Sequence, residues 1–279
     1  MNIAVLSGKG GTGKTFVSVN LAAAMGQQIY ADCDVEAPNG DLFFKPENVK
    51  ETKIFVKVPV FDEEKCNGCK KCVDFCNFNA LAYVKNKPLF FPSVCHSCGG
   101  CTIICPESAI TEIDRTVGSV FQGTTKKNTF MSGKLNIGEA SGMPIIKEIM
   151  NRITDSNQDA IIDCPPGSGC MVMETVQNAD FCILVAEPTS FGCHNLRMVV
   201  DLVRVFNKPF AVVLNKGTDE INPTEEFLKD EKIPLLMKIP FESELANRTA
   251  KGEIAVENLP WVKDLFDQAI DQLRKKVGR

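Results

Sequence analysis

The chain has 279 residues, 44% hydrophobic and 24% charged, with a formal net charge of −4. That is ordinary globular composition, and the length suits one large α/β domain or a domain carrying a smaller insert. The acidic balance gives no general attraction to duplex nucleic acid or to an anionic membrane. No apolar run approaches the roughly 18 residues of a membrane-spanning helix.

The chain opens Met1-Asn2 with no basic region or cleavage site of a signal peptide, and residues 2–7, around the apolar run Ile3-Ala4-Val5-Leu6, read as a short buried strand. The stretch SGKGGTGKT, residues 7–15, follows and fits the pattern G-x-x-x-x-G-K-[ST] through Gly8, Gly13, Lys14 and Thr15. Without side chains at Gly8, Gly10, Gly11 and Gly13, successive backbone N–H groups, that of Thr12 included, can surround phosphate oxygens. A helix over 15–26 would present its N-terminus to the same charge. Lys14 is placed to reach the β- and γ-phosphates, and the Thr15 hydroxyl to ligate Mg²⁺. The pattern does not require Lys9. Its ammonium cannot easily share the space of Lys14, and reaching across a symmetric interface would let it neutralise developing phosphate charge.

A second strand, 28–31, ends on Asp32-Cys33-Asp34, carboxylates at the strand end where α/β proteins place ligands. Pro38, Asn39 and Gly40 break the pattern. From about Ile54 to Ile113 the text is cysteine-rich, and eight of the thirteen cysteines fall between Cys66 and Cys105. A disulfide scaffold is one explanation, but in the reducing cytosol expected of a nucleotide-dependent enzyme clustered cysteines more often bind metal. The runs CNGCKKCVDFC and CHSCGGCTIICP both read C-x₂-C-x₂-C-x₃-C. This is the bacterial two-cluster ferredoxin pattern, in which the fourth cysteine of each run ligates the other cluster. It assigns Cys66, Cys69, Cys72 and Cys105 to one [4Fe–4S] cluster and Cys95, Cys98, Cys101 and Cys76 to a second. Zinc competes for any single C-x₂-C pair, whereas the doubled spacing favours two clusters. The first run ends Cys76-Asn77 where the pattern has Cys-Pro, and His96 lies inside the second.

Polar edges, 62–65 and 112–115, bracket this insert. Beyond it come strands near 117–122 and 129–135, a helix near 142–153, and strands at 160–163, 181–186 and 210–214. A helix near 194–206 joins the last two, a strand spans 233–239, and a final helix spans 260–277, ending on Arg274-Lys275-Lys276 before Gly278. Asp163 closes the strand of DCPPG, where it can hold hydrated Mg²⁺. Gly167 is positioned to sense the γ-phosphate through its backbone. The expected architecture is an α/β P-loop fold with a mostly parallel sheet, residues 1–57 and 115–279, interrupted by a two-cluster ferredoxin-like module, 58–114.

SGKGGTGKT, DCDVEAPN and DCPPG together resemble the deviant Walker A ATPases, which include MinD, chromosome-partition ATPases, Mrp-type iron–sulfur carriers and the nitrogenase iron protein. The resemblance implies that Lys9 crosses a nucleotide-sandwich dimer to phosphate on the other subunit, that Asp34 orients the attacking water, and that Asp32 supports Mg²⁺ or the switch. It places Asn215 at the adenine, with Pro240 and Phe241 beside the ring. A guanine-type N-K-x-D is not met, because position 218 is Thr218 and Asp219 comes one place late. Of the remaining cysteines, Cys33, Cys164 and Cys182 read as small apolar groups, and Cys170 or Cys193 could meet its copy across a dimer axis. No C-x-x-C pair follows Cys105, unlike the Mrp-type carriers.

Over its whole length the chain resembles MinD-superfamily ATPases with an inserted ferredoxin domain. That implies ATP/ADP, Mg²⁺ and two [4Fe–4S] clusters in a cytoplasmic homodimer, or a heterodimer with a paralogue. The leading function is Mg-ATP hydrolysis coupled to dimer switching and electron exchange with a redox partner. The alternatives are ATP-dependent cluster assembly or delivery to an acceptor, and a partitioning-type ATPase with a structural or sensory ferredoxin adaptor. Neither nucleic-acid binding nor stable membrane anchoring is expected, since the basic C-terminal residues are too few for an anchor.

Overall fold

The computed structural model describes every residue except 219, 221, 278 and 279, together with the backbone but not the side chain of Val277. Asp219 and Gly278, named above, lie outside the described residues. The strands are β1 (Asn2–Leu6), β2 (Ile29–Asp32), β3 (Glu47–Phe61), β4 (Leu81–Val84), β5 (Lys87–Phe90), β6 (Ile110–Thr124), β7 (Thr129–Leu135), β8 (Ala160–Asp163), β9 (Phe181–Ala186), β10 (Phe210–Gly217) and β11 (Leu235–Pro240). The helices are α1 (Lys14–Met25), α2 (Gly40–Phe44), α3 (Lys71–Phe75), α4 (Gly100–Ile104), α5 (Met143–Ser156) and α6 (Cys170–Gln177). After them come α7 (Ser190–Val205), α8 (Pro223–Asp230), α9 (Ser243–Ala250), α10 (Ala255–Asn258) and α11 (Pro260–Val277).

The chain divides into two compact units, one of 1–51, 120–134 and 146–279, the other of 52–119 and 135–145. Strand order in the main sheet is β11-β10-β9-β1-β8-β2-β7-β6-β3. In the first unit β1, β2, β7, β8, β9, β10 and β11 pair in parallel. The central strands are apolar on both faces, as a sheet covered by helices on both sides requires, and β1, β8 and β9 are buried almost throughout. The register sets Val5 and Asp32 each opposite Asp163, so three strand ends finish level. α11 carries Val262, Phe266, Ala269, Ile270 and Leu273 on one buried face at helical spacing, packed with the core residues of α1. Phe266 meets Phe16 edge-on at 6.4 Å, and burying such a ring contributes about 1.5–3 kcal/mol.

The sequence placed the helix after β9 at 194–206, but α7 starts at Ser190. Thr189 accepts the Gly192 N–H at 2.9 Å and so starts the helix before its apolar periodicity begins. The predicted strand at 117–122 lies inside a longer β6, and α6, α8, α9 and α10 are further helices that the sequence pattern does not mark.

In the second unit β4 and β5 form an antiparallel hairpin, turned by Lys85 and Asn86, both left-handed with φ of 49° and 64°. Two left-handed residues between paired strands match the strands' own twist. Each cysteine run ends in a short helix entered through a left-handed residue, Lys70 (φ 67°, ψ −5°) before α3 and Gly99 (φ 71°, ψ −5°) before α4. The two runs therefore share their backbone path as well as their spacing. At Gly100 a Cβ would lie 2.1 Å from the Phe75 ring, so no larger residue fits without moving that ring.

Candidate functional site: a phosphate loop and two thiol-lined cavities

The loop between β1 and α1 turns into the helix at Gly13, whose φ of 94° suits glycine. A Cβ there would lie 2.0 Å from Asn215 Nδ2. Asn215 donates that amide to the Thr12 carbonyl at 2.8 Å, so the end of β10 braces the phosphate loop. Gly167 is left-handed at φ 92°, and its N–H bonds the Ser7 carbonyl at 2.9 Å, which ties the 163–170 segment to the same loop.

Lys14 is buried, with Nζ 2.5 Å from Asp163 Oδ1 and 3.7 Å from Asp34 Oδ2. Burial disfavours its ammonium, yet Asp163, Asp34 and Asp32 outweigh that and raise its pKa. The Asp163 Oδ2 atom accepts from the Tyr30 hydroxyl at 3.2 Å. Asp32, wholly buried, accepts the N–H groups of Asp34, Asn39 and Gly40 at 3.1, 2.9 and 2.8 Å. It thus organises the turn that presents Asp34 as well as standing beside the site. Mg²⁺ needs only one or two carboxylates and keeps several waters, and Thr15, Asp163 and Asp32 are the residues present for that task.

Burial raises the Asp32 carboxyl above its ordinary range, with Asp163 adding to the shift, while Gly40 N–H, Lys14 and Asn39 N–H only partly oppose it. A carboxyl raised in the folded state stabilises most when protonated. Its contribution is complete below the ordinary value of about 3.9 and is lost as pH rises. Wild type is therefore expected to lose stability relative to Asp32→Asn between about pH 5 and about pH 8 in urea unfolding. A gap that stays flat or moves the other way contradicts the assignment.

A cavity of about 360 Å³ adjoins the loop and is lined by Gly11, Gly13, Asn215, Pro240 and Phe241 among others. It joins the three residues assigned to the base with the phosphate loop, at a volume within the usual ligand range of about 300–1,000 Å³. One residue at this site was not read from the sequence. Glu187, directly after β9, contacts both Lys9 and Lys216 at 2.6 Å. The signal available was its position, a carboxylate at the end of a buried parallel strand, as for Asp32 and Asp163.

In the second unit the eight cysteines surround two cavities. One is lined by Cys66, Cys69, Cys72 and Cys105. The other is lined by Cys76, Cys95, Cys98 and Cys101. The fourth thiol of each set comes from the opposite run. Among the described residues no three His, Cys, Asp or Glu side chains stand close enough together to hold a single metal ion. The donor chemistry, four thiols around a void, suits a polynuclear cluster. The N–H groups of Ser97 and Ala109 lie 3.4 Å from the sulfurs of Cys95 and Cys105. His96 stacks on Phe78 with ring centroids 3.9 Å apart. All thirteen cysteines are free thiols.

Parallel strands, a glycine-rich loop entering a helix, and carboxylates at the neighbouring strand ends define an α/β P-loop NTPase with a large, mostly parallel sheet. The chain belongs to the CobQ/CobB/MinD/ParA nucleotide binding domain family, whose pattern matches residues 3–256. Uncharacterized protein MJ0579 of Methanocaldococcus jannaschii is 30% identical, over 91% of this chain and 90% of its own. An iron-sulfur cluster carrier protein of Pyrococcus horikoshii is 23% identical over 99% of this chain and 88% of its own. Among solved structures, the septum site-determining protein MinD of Pyrococcus horikoshii, complexed with Mg-ADP, has the same fold. Its TM-score is 0.60 at 19% identity, covering 99% of this chain and 97% of that one. No helix among the described residues is long and apolar enough to cross a membrane.

Proposed function

We propose that the chain is a Mg-ATP-hydrolysing dimer that carries two [4Fe–4S] clusters, and that nucleotide turnover gates electron exchange with a partner protein. The observation that carries this reading is the pairing of thiols, three from one run with the fourth from the other around each of two cavities. Bound clusters of this kind supply one-electron chemistry at potentials set by charge, solvent exposure and N–H groups near sulfur. The protein's own part begins at the phosphate site. Lys14 and the loop N–H groups hold the phosphates. Asp163, Thr15 and Asp32 hold the hydrated Mg²⁺, and Asp34 orients the attacking water. Lys9 reaches phosphate on the second subunit, which makes dimerisation depend on ATP. Loss of the γ-phosphate releases Gly167 and the 163–170 segment.

The deciding experiment is anaerobic purification followed by parallel measurement of ATP hydrolysis and of dithionite reduction of the clusters, with and without Mg-ATP. The reading requires nucleotide to change the cluster potential or the rate of electron exchange, and it fails if neither moves. A second reading, delivery of clusters to an acceptor, is favoured by the likeness to an iron-sulfur cluster carrier protein. Rapid transfer of intact clusters to an apo-ferredoxin would select it. Lys9→Ala is expected to keep Mg-ADP affinity within about threefold while losing ATP-dependent dimerisation, read by light scattering. Full turnover by a strictly monomeric variant would remove Lys9 from the interface.

A further inference from the structure

Glu187 is the most heavily engaged acidic side chain at the phosphate site that the proposed chemistry does not use. It is 8% exposed, and its two oxygens are divided between two lysines, Oε2 to Lys9 and Oε1 to Lys216, each at 2.6 Å. Its backbone is fixed by the Thr224 hydroxyl, which donates to the Glu187 carbonyl at 2.8 Å. Burial pushes its carboxyl upward, but Lys216 and Lys9 outweigh that and hold it below the ordinary range, so it stays charged near neutrality. Lys216 also donates to the Gly11 carbonyl at 3.0 Å, linking the carboxylate to the phosphate loop. On its other side Lys9 lies 5.1 Å from the centre of the Phe191 ring, and that ring is 61% exposed.

We propose that Glu187 is a positioning residue that tethers Lys9 to its own subunit and yields it to phosphate on the partner subunit. The proposal rests on the cross-interface role of Lys9 given above. The short bond to Glu187 holds the Lys9 ammonium against its own subunit, so extending the side chain to phosphate across an interface draws it off that carboxylate, and the two anions compete for one mobile charge. The second lysine decides whether that exchange is feasible. A buried carboxylate stripped of its only cation is costly to leave behind, but here Lys216 stays on Oε1 when Lys9 departs. The tether therefore sets a threshold for dimerisation without making release prohibitive.

The test reads Lys9 directly. The intact, cluster-loaded protein is exposed anaerobically to formaldehyde and cyanoborohydride, and methylation of Lys9 is followed by peptide mass spectrometry. Glu187→Gln is expected to speed Lys9 modification roughly tenfold, the order of one charge-assisted hydrogen bond. Lys216→Met, which leaves Oε2 in place, should keep Lys9 slow. With Mg-ATP, Glu187→Gln should dimerise at roughly tenfold lower protein concentration, and this gain should vanish in the Lys9→Ala background. If Glu187→Gln does not fold, Glu187→Asp, one methylene shorter, must move both readouts in the same direction. An unchanged Lys9 methylation rate overturns the tether, as does a dimerisation gain that survives in Lys9→Ala. Faster methylation in a protein that never dimerises with Mg-ATP would leave the tether standing and remove the cross-interface role instead.

Discussion

Replacing Lys14 with alanine is expected to weaken Mg-ADP binding by on the order of 100-fold or more, since the change removes charge-assisted bonds to phosphate. It is also expected to destabilise the fold by about 3 kcal/mol, because it removes the cation from a buried carboxylate. Asp163 is fully buried and, among the described residues, keeps the Tyr30 hydroxyl at 3.2 Å as its side-chain partner once Lys14 is gone. The two losses separate on a second substitution. Asp163→Asn in the Lys14→Ala background removes the unpaired charge, so it should restore most of the stability and none of the affinity. Urea unfolding and isothermal titration on the four proteins of the cycle give both numbers. A Lys14→Ala protein of wild-type stability would mean that the Lys14–Asp163 contact is not the charge balance described above.

The second large effect concerns iron. Two [4Fe–4S] clusters correspond to about eight iron atoms per chain, and losing either leaves about four. Because the cavities draw on both runs, the thiols group as Cys66, Cys69, Cys72 with Cys105 and as Cys95, Cys98, Cys101 with Cys76. Cys66→Ala with Cys105→Ala is therefore expected to lose no more iron than either change alone. Cys66→Ala with Cys76→Ala should lose both clusters. Grouping by run predicts the reverse, with half of the iron surviving in the second pair. Iron and acid-labile sulfide assays on anaerobically purified protein, with electron paramagnetic resonance of the reduced state, distinguish the two patterns.

Both effects concern residues legible in the sequence, for different physical reasons. Buried parallel strands read as unbroken apolar runs, so the ends of β1, β2 and β8, and with them the loop, Asp32 and Asp163, stand out as interruptions. The left-handed entries to α3 and α4 follow from repeated cysteine spacing, although Lys70 gives no warning that it adopts φ 67°. Other features depend on contacts that one sequence does not display. Glu187 belongs to no motif and acquires its role by lying beside Lys9 and Lys216 after folding. The resemblance puts Asn215 at the base, yet one of its amide hydrogens is committed to the loop backbone, a partner that only the fold supplies. β3 begins with a charged, exposed stretch that carries no apolar alternation, so its full span from Glu47 to Phe61 was hidden. The short helices α9 and α10 present too few turns for periodicity to register.

The thirteen thiols are divided by burial as well as by position. Cys33, Cys164 and Cys182 are buried, and burial raises all three, Cys182 to about 12. Thiolates bind metal and attack electrophiles, whereas thiols do neither well. These three sulfurs, two of them adjoining Asp32 and Asp163 in the chain, are closed off in the core, whereas Cys72 and Cys101, which burial also raises, line the thiol cavities. Under the function proposed above, a chain so rich in cysteine serves hard and soft cations at once, with carboxylates for magnesium beside sulfur sealed in the core and accessible sulfur for iron.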